Sequence, residues 1–252
     1  MERISVTGKT LRHLAIFGVL ASAMTGIGGA HAEPKAVIEL FTSQGCSSCP
    51  PADRLLGELG FNPSVITMSL PVDYWDYIGW KDTLALPGHT KRQWAYAQTL
   101  GDRGVYTPQA IVNGSIPVIG SDRAAIERAI EQSRETSNEP TLPVSISVAD
   151  DQIKIVTPAA KVAGMGEVWL CTISKAVPVA IGRGENRGRT ITYHNVVRDW
   201  HKLGDWTGAP HAWTVAVKDL HGTDVDEVAV FVQTGSAQSP GTMLGAAVAT
   251  LH

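Results

Sequence analysis

Residues 41–53 read Phe41-Thr42-Ser43-Gln44-Gly45-Cys46-Ser47-Ser48-Cys49-Pro50-Pro51-Ala52-Asp53. The apolar run at 36–41 that leads into them is typical of a short buried strand. Two consecutive prolines fit the first turn of a helix, where a missing N–H costs no intrahelical hydrogen bond. We therefore expect a strand, a turn with two cysteines and a helix over 50–59. Cys46 should lie at or just before the helix N-terminus, with Cys49 one turn inside it.

The spacing of the two cysteines is typical of a redox site. Unpaired N–H groups and the positive end of the helix dipole stabilise a thiolate at a helix N-terminus. We therefore expect Cys46 to be the nucleophile, with a lowered pKa, and Cys49 to be the resolving thiol. A purely structural disulfide is the alternative, although closing so short a loop stabilises a fold by only about 2 kcal/mol, against about 3 kcal/mol for a fifteen-residue loop.

The first 32 residues have the pattern of a secretory signal peptide. Three basic residues precede an uncharged run from Leu14 to Ala30, and the segment ends in Ala30-His31-Ala32. We predict cleavage after Ala32 and a periplasmic or secreted protein without stable membrane insertion. A retained anchor is the alternative, but the run is short and contains four glycines. Export would place the cysteines where a disulfide persists. The formal net charge of −3 argues against a nucleic-acid partner.

The segment after the cysteine helix predicts a second strand, a loop and a second helix. The β-branched run at 64–70 indicates the strand. Residues 72–82 carry four aromatic rings and three carboxylates, which predicts a loop with a short helical turn. If this loop follows the carboxyl end of its strand it lies beside the cysteines; filling a domain interface is the alternative. Residues 90–100 predict a helix with Thr90 as N-cap and Gly101 as its stop.

The second informative tract reads Gly104-Val105-Tyr106-Thr107-Pro108-Gln109-Ala110-Ile111-Val112-Asn113-Gly114. A proline at the head of an apolar strand fits an edge, a bulge or a first position, because it cannot donate a ladder hydrogen bond. The Asn-Gly pair predicts a hairpin turn into a strand at 116–119. Ser121 is the expected cap of a last helix over 122–134, whose apolar positions recur at helical spacing.

This order of elements resembles the thioredoxin fold over residues 35–135. The cysteine motif, Asp-Tyr-Trp-Asp-Tyr at 73–77 and Tyr-Thr-Pro-Gln at 106–109 are similar to an exported bacterial thioredoxin-like family of unknown function. The resemblance implies that Pro108 is a cis-proline facing the disulfide and that the backbone of Thr107 pairs with a client peptide. Tyr106, Trp75 and Asp76 complete the substrate-binding set that we expect.

The sequence departs from the thioredoxin pattern at two positions. Gly45 stands where thioredoxin has an aromatic residue before its first cysteine. Glu39 is only an approximate counterpart of the buried acid of the first strand, one residue out of register. Glu39 is the candidate proton acceptor for Cys49, and a solvated strand end or an ion pair is the alternative for this residue.

The second half of the chain predicts a different structure. A polar linker at 136–141 would separate a thioredoxin-like domain at 33–135 from a β-rich domain at 142–252, where alternating runs predict an antiparallel sandwich. Cys171 lies in one apolar run, which predicts a buried, inert thiol. The segment 182–189 has three arginines and three glycines, and could form an anion-binding nest, dock onto the acidic loop at 73–82 or be a solvated hairpin tip.

The predicted function is thiol–disulfide exchange at the Cys46/Cys49 pair, without a cofactor. The substrate would be a protein or a small thiol or disulfide, with a possible redox partner protein. One alternative is a Cu(I)-binding chaperone with His89 as an extra ligand, since two thiolates can hold a soft metal. The histidines of the second half lack the short paired spacings of a metal site, so we expect no metal site among them. A recognition protein that binds through its β-rich half is the other alternative.

Overall fold

The computed structural model describes residues 34–161, 165–222 and 224–251. The predicted signal peptide at 1–32 lies outside the described residues. The α-helices are α1 (Pro50–Leu59), α2 (Pro87–Leu100) and α3 (Arg123–Glu135). The strands are β1 (Ala36–Thr42), β2 (Val65–Pro71), β3 (Gln109–Val112), β4 (Ile116–Ile119), β5 (Ser145–Ala149), β6 (Gln152–Thr157), β7 (Gly166–Ala180), β8 (Thr190–Trp206), β9 (His211–Ala216), β10 (Glu227–Ser236) and β11 (Ser239–Thr250).

Eight strands form one mixed sheet in the order β11-β10-β7-β8-β2-β1-β3-β4. β1 pairs with β2 in parallel and with β3 antiparallel, and β3 continues through a hairpin into β4. β2 meets β8 in parallel at the residue pair Ser69 and Val196. The remaining strands β5, β6 and β9 form a separate three-stranded antiparallel sheet. The described chain is therefore a mixed α/β fold.

The second half contributes strands to the same sheet as the first half. β7, β8, β10 and β11 pair antiparallel, as the alternating pattern predicts, but they extend the mixed sheet beyond β2. A strand edge left unpaired at β2 would expose a row of backbone groups, and β8 covers part of it. Strands from both sides of the predicted linker at 136–141 share the sheet. Independent folding of residues 33–135 and 142–252 stays a prediction.

Side chains along β1 alternate between the two faces of the sheet, as the period of a strand requires. Ile38 and Leu40 pack with apolar residues of α1 and α3. Val37 and Phe41 pack on the opposite face with Tyr96 of α2. A further core lies between the three-stranded sheet and β7 and β10. Glu39 is thereby directed to the face of the sheet that α2 covers.

Local signals placed most elements correctly, and the helix starts needed correction. α1 spans 50–59 as predicted, but Cys49 is its N-cap and not one turn inside it. α2 begins at Pro87, with Leu86 and not Thr90 as its N-cap. Proline is favoured at the first helical position, because its missing N–H would have no intrahelical partner there. Asp122, and not Ser121, caps α3, since its Oδ1 accepts the Ala125 N–H at 2.9 Å.

The predicted hairpin turn at Asn113-Gly114 and the predicted burial of Cys171 are confirmed. Asn113 and Gly114 have positive φ values of 50° and 71°, the conformation that a tight hairpin turn between β3 and β4 requires. Cys171 is a free, fully buried cysteine on β7, and burial raises the pKa of its thiol well above the ordinary value. None of the helices in the described part of the chain is long and apolar enough to cross a membrane.

Candidate functional site

Cys46 and Cys49 form a disulfide at the carboxyl end of β1 and the N-terminus of α1, with their Cα atoms 5.4 Å apart. The turn between them is closed by the Cys49 N–H, which donates to the Cys46 carbonyl at 3.2 Å. The Ser48 hydroxyl lies 3.4 Å from the Cys46 sulfur. Both cysteines have no exposed surface. The disulfide is therefore formed where the sequence places it, and it is covered by other parts of the chain.

Gly45 is required by a close approach of the loop at 72–82. A Cβ atom at Gly45 would lie 3.0 Å from Trp75 Cβ and 3.0 Å from Ile78 Cδ1. The Gly45 N–H donates to the Ser43 hydroxyl at 3.1 Å. The space that an aromatic residue before the first cysteine would need is thus filled by the loop, which explains this departure from the thioredoxin pattern.

The loop at 72–82 lies against the cysteine turn, as the first of its two interpretations states. It contains a short 3₁₀ turn at Asp76–Ile78. The Gln44 side chain holds the loop: its Oε1 accepts the Trp80 indole N–H at 2.8 Å and its Nε2 donates to Thr83 at 3.1 Å. The Gln44 N–H donates to Asp82 Oδ2 at 2.7 Å. The loop is therefore bound to the residue two positions before Cys46.

Trp75 connects the cysteine turn to the predicted substrate-binding tract. Its Cβ packs at Gly45, and its indole N–H donates to Thr107 Oγ1 at 2.8 Å. The Thr107–Pro108 peptide bond is cis, as expected. Tyr106 is 42% exposed, and Trp75 stacks on the exposed ring of Tyr77. That Pro108 faces the disulfide and that these residues bind substrate stay predictions.

Asp76 has a structural contact within the loop. Its Oδ1 accepts the Asp82 N–H at 2.9 Å and so tightens the turn that begins at Trp75. Of the predicted substrate-binding residues, Trp75 and Thr107 contact each other directly, whereas Asp76 contacts the backbone of Asp82.

Glu39 lies in a different environment from the one a proton acceptor for Cys49 needs. It is fully buried, and the guanidinium of Arg92 donates to its two oxygens at 2.6 and 3.0 Å. The Tyr96 hydroxyl donates to Oε2 at 2.5 Å. Arg92 also lies 4.9 Å from the ring centre of Trp200. Glu39 therefore forms an ion pair, one of the alternatives to the role of proton acceptor. This ion pair lies on the face of the sheet that α2 covers.

A carboxylate that sequence reasoning missed lies in the first turn of α1. Asp53 is 2% exposed, and its N–H donates to the Cys49 carbonyl at 3.1 Å. Its Oδ1 accepts the Thr42 hydroxyl at 2.7 Å, while its Oδ2 is buried without a partner among the described residues. Burial raises the pKa of Asp53 to about 7, although the Thr42 hydrogen bond opposes the shift. The spacing of four from Cys49 could have revealed it, because such positions share a helix face.

Asp82 is a second buried acid near Asp53. Burial raises its pKa to about 6, although the hydrogen bond from the Gln44 N–H opposes the shift. Burial raises the pKa of Tyr193, and the negative charges of Asp53 and Asp82 raise it further. The site thus combines a disulfide with two buried carboxyl groups whose pKa values are raised by burial.

The 182–189 loop, which joins β7 to β8, docks onto the cysteine turn. Asn186 is fully buried, and its Nδ2 donates to the carbonyls of Gln44 and Cys46 at 2.9 Å each. The Glu185 carboxylate accepts the Ser47 N–H at 3.2 Å. The segment therefore docks onto the cysteine turn, a contact that none of its three interpretations named.

The 182–189 loop also packs on residues 72–82. Its glycines, and not its arginines, lie against apolar side chains there. A Cβ atom at Gly182 would lie 3.1 Å from the Trp80 ring. Gly184, at a φ of +77°, lies against Ile78 and Trp80. All three arginines of the loop are exposed, so charge does not hold it to the acidic loop.

His89, which the copper-binding alternative needs, is buried in the core. Its Nδ1 lies 2.9 Å from the Pro71 carbonyl, and its ring packs edge-on against Trp200. Burial lowers the pKa of His89 to about 4. Across residues 34–161, 165–222 and 224–251, no group of three or more His, Cys, Asp or Glu residues is arranged to hold a metal ion.

Comparison with known proteins places the chain in a family. A family model described as "Protein of unknown function (DUF1223)" matches residues 37–233, which include both cysteines and the 182–189 loop. The chain belongs to the DUF1223 family. A search of curated proteins gives no match. Among solved structures, the chain is similar to the X-ray structure of a structural-genomics protein from Agrobacterium tumefaciens, with 34% identity, a TM-score of 0.78, and coverage of 87% of this chain and 95% of that one.

Proposed function

We propose that this member of the DUF1223 family is an exported thiol–disulfide oxidoreductase with a thioredoxin-like half. The observation that carries the proposal is the Cys46–Cys49 disulfide at the N-terminus of α1, connected by Trp75, which contacts both Gly45 and Thr107, to the tract proposed to bind the client. The strand order β2-β1-β3-β4, with α1 and α3 on one face and α2 on the other, supports the thioredoxin-like assignment.

The proposed reaction is an exchange between two dithiol–disulfide pairs. A thiolate of a reduced client attacks the sulfur of Cys46, a mixed disulfide forms, and Cys49 leaves as a thiolate that takes up a proton. The second client thiolate then attacks the client sulfur of the mixed disulfide and releases Cys46 as a thiolate. The client loses two electrons and the Cys46/Cys49 pair gains them. In reverse, the reduced pair reduces a client disulfide, and the relative reduction potentials set the direction.

The surroundings of Cys46 support its role as the nucleophile. The positive end of the dipole of α1, which begins next to Cys49, stabilises negative charge there. The Ser48 hydroxyl, 3.4 Å from the sulfur, can donate a hydrogen bond to the thiolate. We expect the reactivity of Cys46 to report a pKa below the free-cysteine value of about 8.5.

Asp53 is the proton acceptor that the site supports, in place of Glu39. Both oxygens of Glu39 are engaged by Arg92 and Tyr96. Asp53 lies in the first turn of α1, which Cys49 caps, and one of its oxygens has no partner among the described residues. Burial raises its pKa to about 7. A group with a pKa near the working pH can both accept and return a proton. Asp53 would take the proton from Cys49 before that thiol attacks the mixed disulfide.

Clients are proposed to bind along Tyr106 and Thr107, where an extended peptide could pair with the backbone. The exposed rings of Tyr106 and Tyr77, 42% and 81% exposed, would contact client side chains on either side of Trp75. Client identity would then depend on aromatic contacts next to the cysteines.

The test is to trap a mixed disulfide with Cys49→Ser in the native compartment. Without the resolving thiol, Cys46 attacks a client disulfide and the adduct persists. We expect adducts that a reductant releases, none with Cys46→Ser, and unchanged capture when Cys171→Ser is added, because Cys171 is buried. Absence of any trapped protein or small thiol would contradict the proposed function.

A further inference from the structure

The disulfide is closed off from solvent in the oxidised state that the structure shows. Cys46, Cys49 and Gln44 have no exposed surface. Thiol–disulfide exchange needs an attacking thiolate to reach one of the two sulfur atoms. Some part of the covering structure must therefore move before any thiol reacts.

Asn186 is the element that fixes the cover in place. Its Nδ2 donates to the carbonyls of Gln44 and Cys46, and its Oδ1 accepts from Arg189 at 2.9 Å. All the polar atoms of this buried side chain are thus engaged, and two of its three partners belong to the cysteine turn. A buried side chain with every polar atom bonded resists displacement, because leaving any of them unpaired is unfavourable.

Several other residues of the loop are exposed. Arg183, Arg187 and Gly188 are exposed, and Glu185 is an exposed residue whose contact to Ser47 is made at the surface. Gly184 and Gly188 lie on either side of Asn186 with φ values of +77° and +81°. Glycine adopts such angles without strain and changes them easily. The β7–β8 ladder ends at Ala180 and Thr190, so movement of the loop leaves this ladder paired. Such movement would break the backbone hydrogen bonds at the base of the loop, from the Gly188 N–H to the Ile181 carbonyl at 2.8 Å and from the Ile181 N–H to the Arg189 carbonyl at 2.9 Å.

We propose that residues 182–189 form a lid over the disulfide, that Asn186 is its latch, and that the latch makes the site selective for polypeptide partners over small thiols. This inference rests on the proposed thiol–disulfide exchange. When Asn186 withdraws, the carbonyl of Gln44 loses its donor and the carbonyl of Cys46 keeps only the Cys49 N–H. An extended polypeptide supplies backbone N–H groups that can bond to them, whereas a small thiol cannot.

The test compares Asn186→Ala and Asn186→Asp with the wild-type chain and with Arg187→Ala. The Asp variant keeps the size of the side chain and removes both N–H donors. Arg187 is exposed and contributes no side-chain contact to the cysteine turn, so Arg187→Ala is the matched control on the same loop. Tryptophan fluorescence and thermal unfolding establish that each variant remains folded.

The first readout is the rate at which dithiothreitol reduces the disulfide. We expect both Asn186 variants to be reduced roughly tenfold faster or more, as loss of two buried hydrogen bonds predicts, and Arg187→Ala to match wild type. Equal rates in all four proteins would overturn the lid. Because dithiothreitol reduces any accessible disulfide, this result does not depend on the proposed function, which the Cys49→Ser trap tests separately.

The second readout is selectivity. A synthetic ten-residue peptide with two cysteines is offered to each oxidised protein, and its rate is divided by the rate for dithiothreitol at equal thiol concentration. We expect this ratio to fall at least fivefold in the Asn186 variants, because opening the lid mainly helps the small thiol. A ratio that is the same in wild type and variants would overturn the selectivity that we assign to Asn186.

Discussion

Glu39 and Asp53 are both buried carboxylates, on the successive elements β1 and α1. They differ in how many of their carboxylate oxygens accept hydrogen bonds. Glu39 on β1 has both oxygens bonded, by Arg92 and by Tyr96. Asp53 on α1 has one oxygen bonded by Thr42 and the other without a partner among the described residues. The saturated group holds α2 against the sheet, while the incompletely paired group is left able to exchange a proton. The difference shows that satisfaction of hydrogen bonds, and not burial alone, separates a structural acid from a candidate functional one.

The largest expected effect comes from breaking the saturated pair. Arg92→Ala leaves Glu39 buried without its counter-charge, which we expect to lower the free energy of unfolding by about 3–5 kcal/mol. Arg123→Ala, which removes an exposed ion pair with Glu58, is the control and should cost about 1 kcal/mol or less. Urea unfolding at pH 7 measures both. Equal losses in the two variants would show that the Glu39 cluster does not hold α2 in place.

The unsaturated acid should have the opposite effect on stability. The carboxyl of Asp53 has an ordinary pKa of 3.8 in the unfolded chain and about 7 in the folded chain. Between these values the folded state keeps a proton that the unfolded state releases, so stability is complete below the unfolded pKa and falls as pH rises through the folded pKa. We expect Asp53→Asn to be more stable than wild type at pH 8, by up to about 4 kcal/mol, and to lose this advantage towards pH 4.

Urea unfolding from pH 4 to pH 8 measures this difference. The exposed Asp102→Asn is the control and should follow the wild-type profile. The pKa of Asp82 is also raised, to about 6, and in the same direction, so part of the wild-type slope should persist in Asp53→Asn. A gap between Asp53→Asn and wild type that stays constant with pH would exclude titration of Asp53 in this range.

The smallest of the expected effects concerns the exchange rate itself. If Asp53 accepts the proton of Cys49, the rate of mixed-disulfide resolution in wild type should rise with pH through an inflection near the Asp53 pKa of about 7. Asp53→Asn should lose this inflection and react at least about tenfold more slowly at pH 8. Stopped-flow release of a chromogenic thiol from Cys46 measures the rate.

Thr42→Val provides the matched variant for this comparison. It keeps the Asp53 carboxyl and removes the hydrogen bond that lowers its pKa. We expect the inflection to remain and to move to higher pH. An unchanged inflection in Asp53→Asn would assign the proton transfer to another group.

The sequence predicted what depends on neighbouring residues and missed what depends on distant ones. The proline pair, the cysteine spacing and the Asn-Gly turn act within a few positions, and the elements that they predict are present. The partner of Glu39 lies 53 positions away on α2, and Asn186 lies 140 positions from Cys46. No local pattern encodes such contacts. The sequence showed that Gly45 differs from the thioredoxin pattern but not why, because Trp75, which leaves no space for a side chain there, lies in another loop.

Asp53 is the instructive omission among the site residues. Its position four after Cys49 was visible in the sequence, but an acid in the first turn of a helix is an ordinary stabilising feature at a positive dipole end. What distinguishes it is its burial, with one oxygen that has no partner among the described residues. Its interactions with Thr42 of β1, with Asp82 and with Tyr193 of β8 join parts of the chain that are distant in sequence. The role of the second half of the chain was missed for the same reason, since β8 pairs with β2 and packs against Gly57 of α1, both far away in the sequence.

The position of Asn186 late in the chain also bears on the order of events during biosynthesis. The cysteine turn and α1 are complete by residue 59, whereas the segment that covers them is 182–189. Because a chain is made from its N-terminus, both thiols emerge long before their cover. We expect the pair to be accessible to an oxidant until residues 182–189 fold over it. Maturation would then close over a bond that is already made, so a freshly translated molecule and a finished one would differ in redox accessibility while sharing every covalent bond.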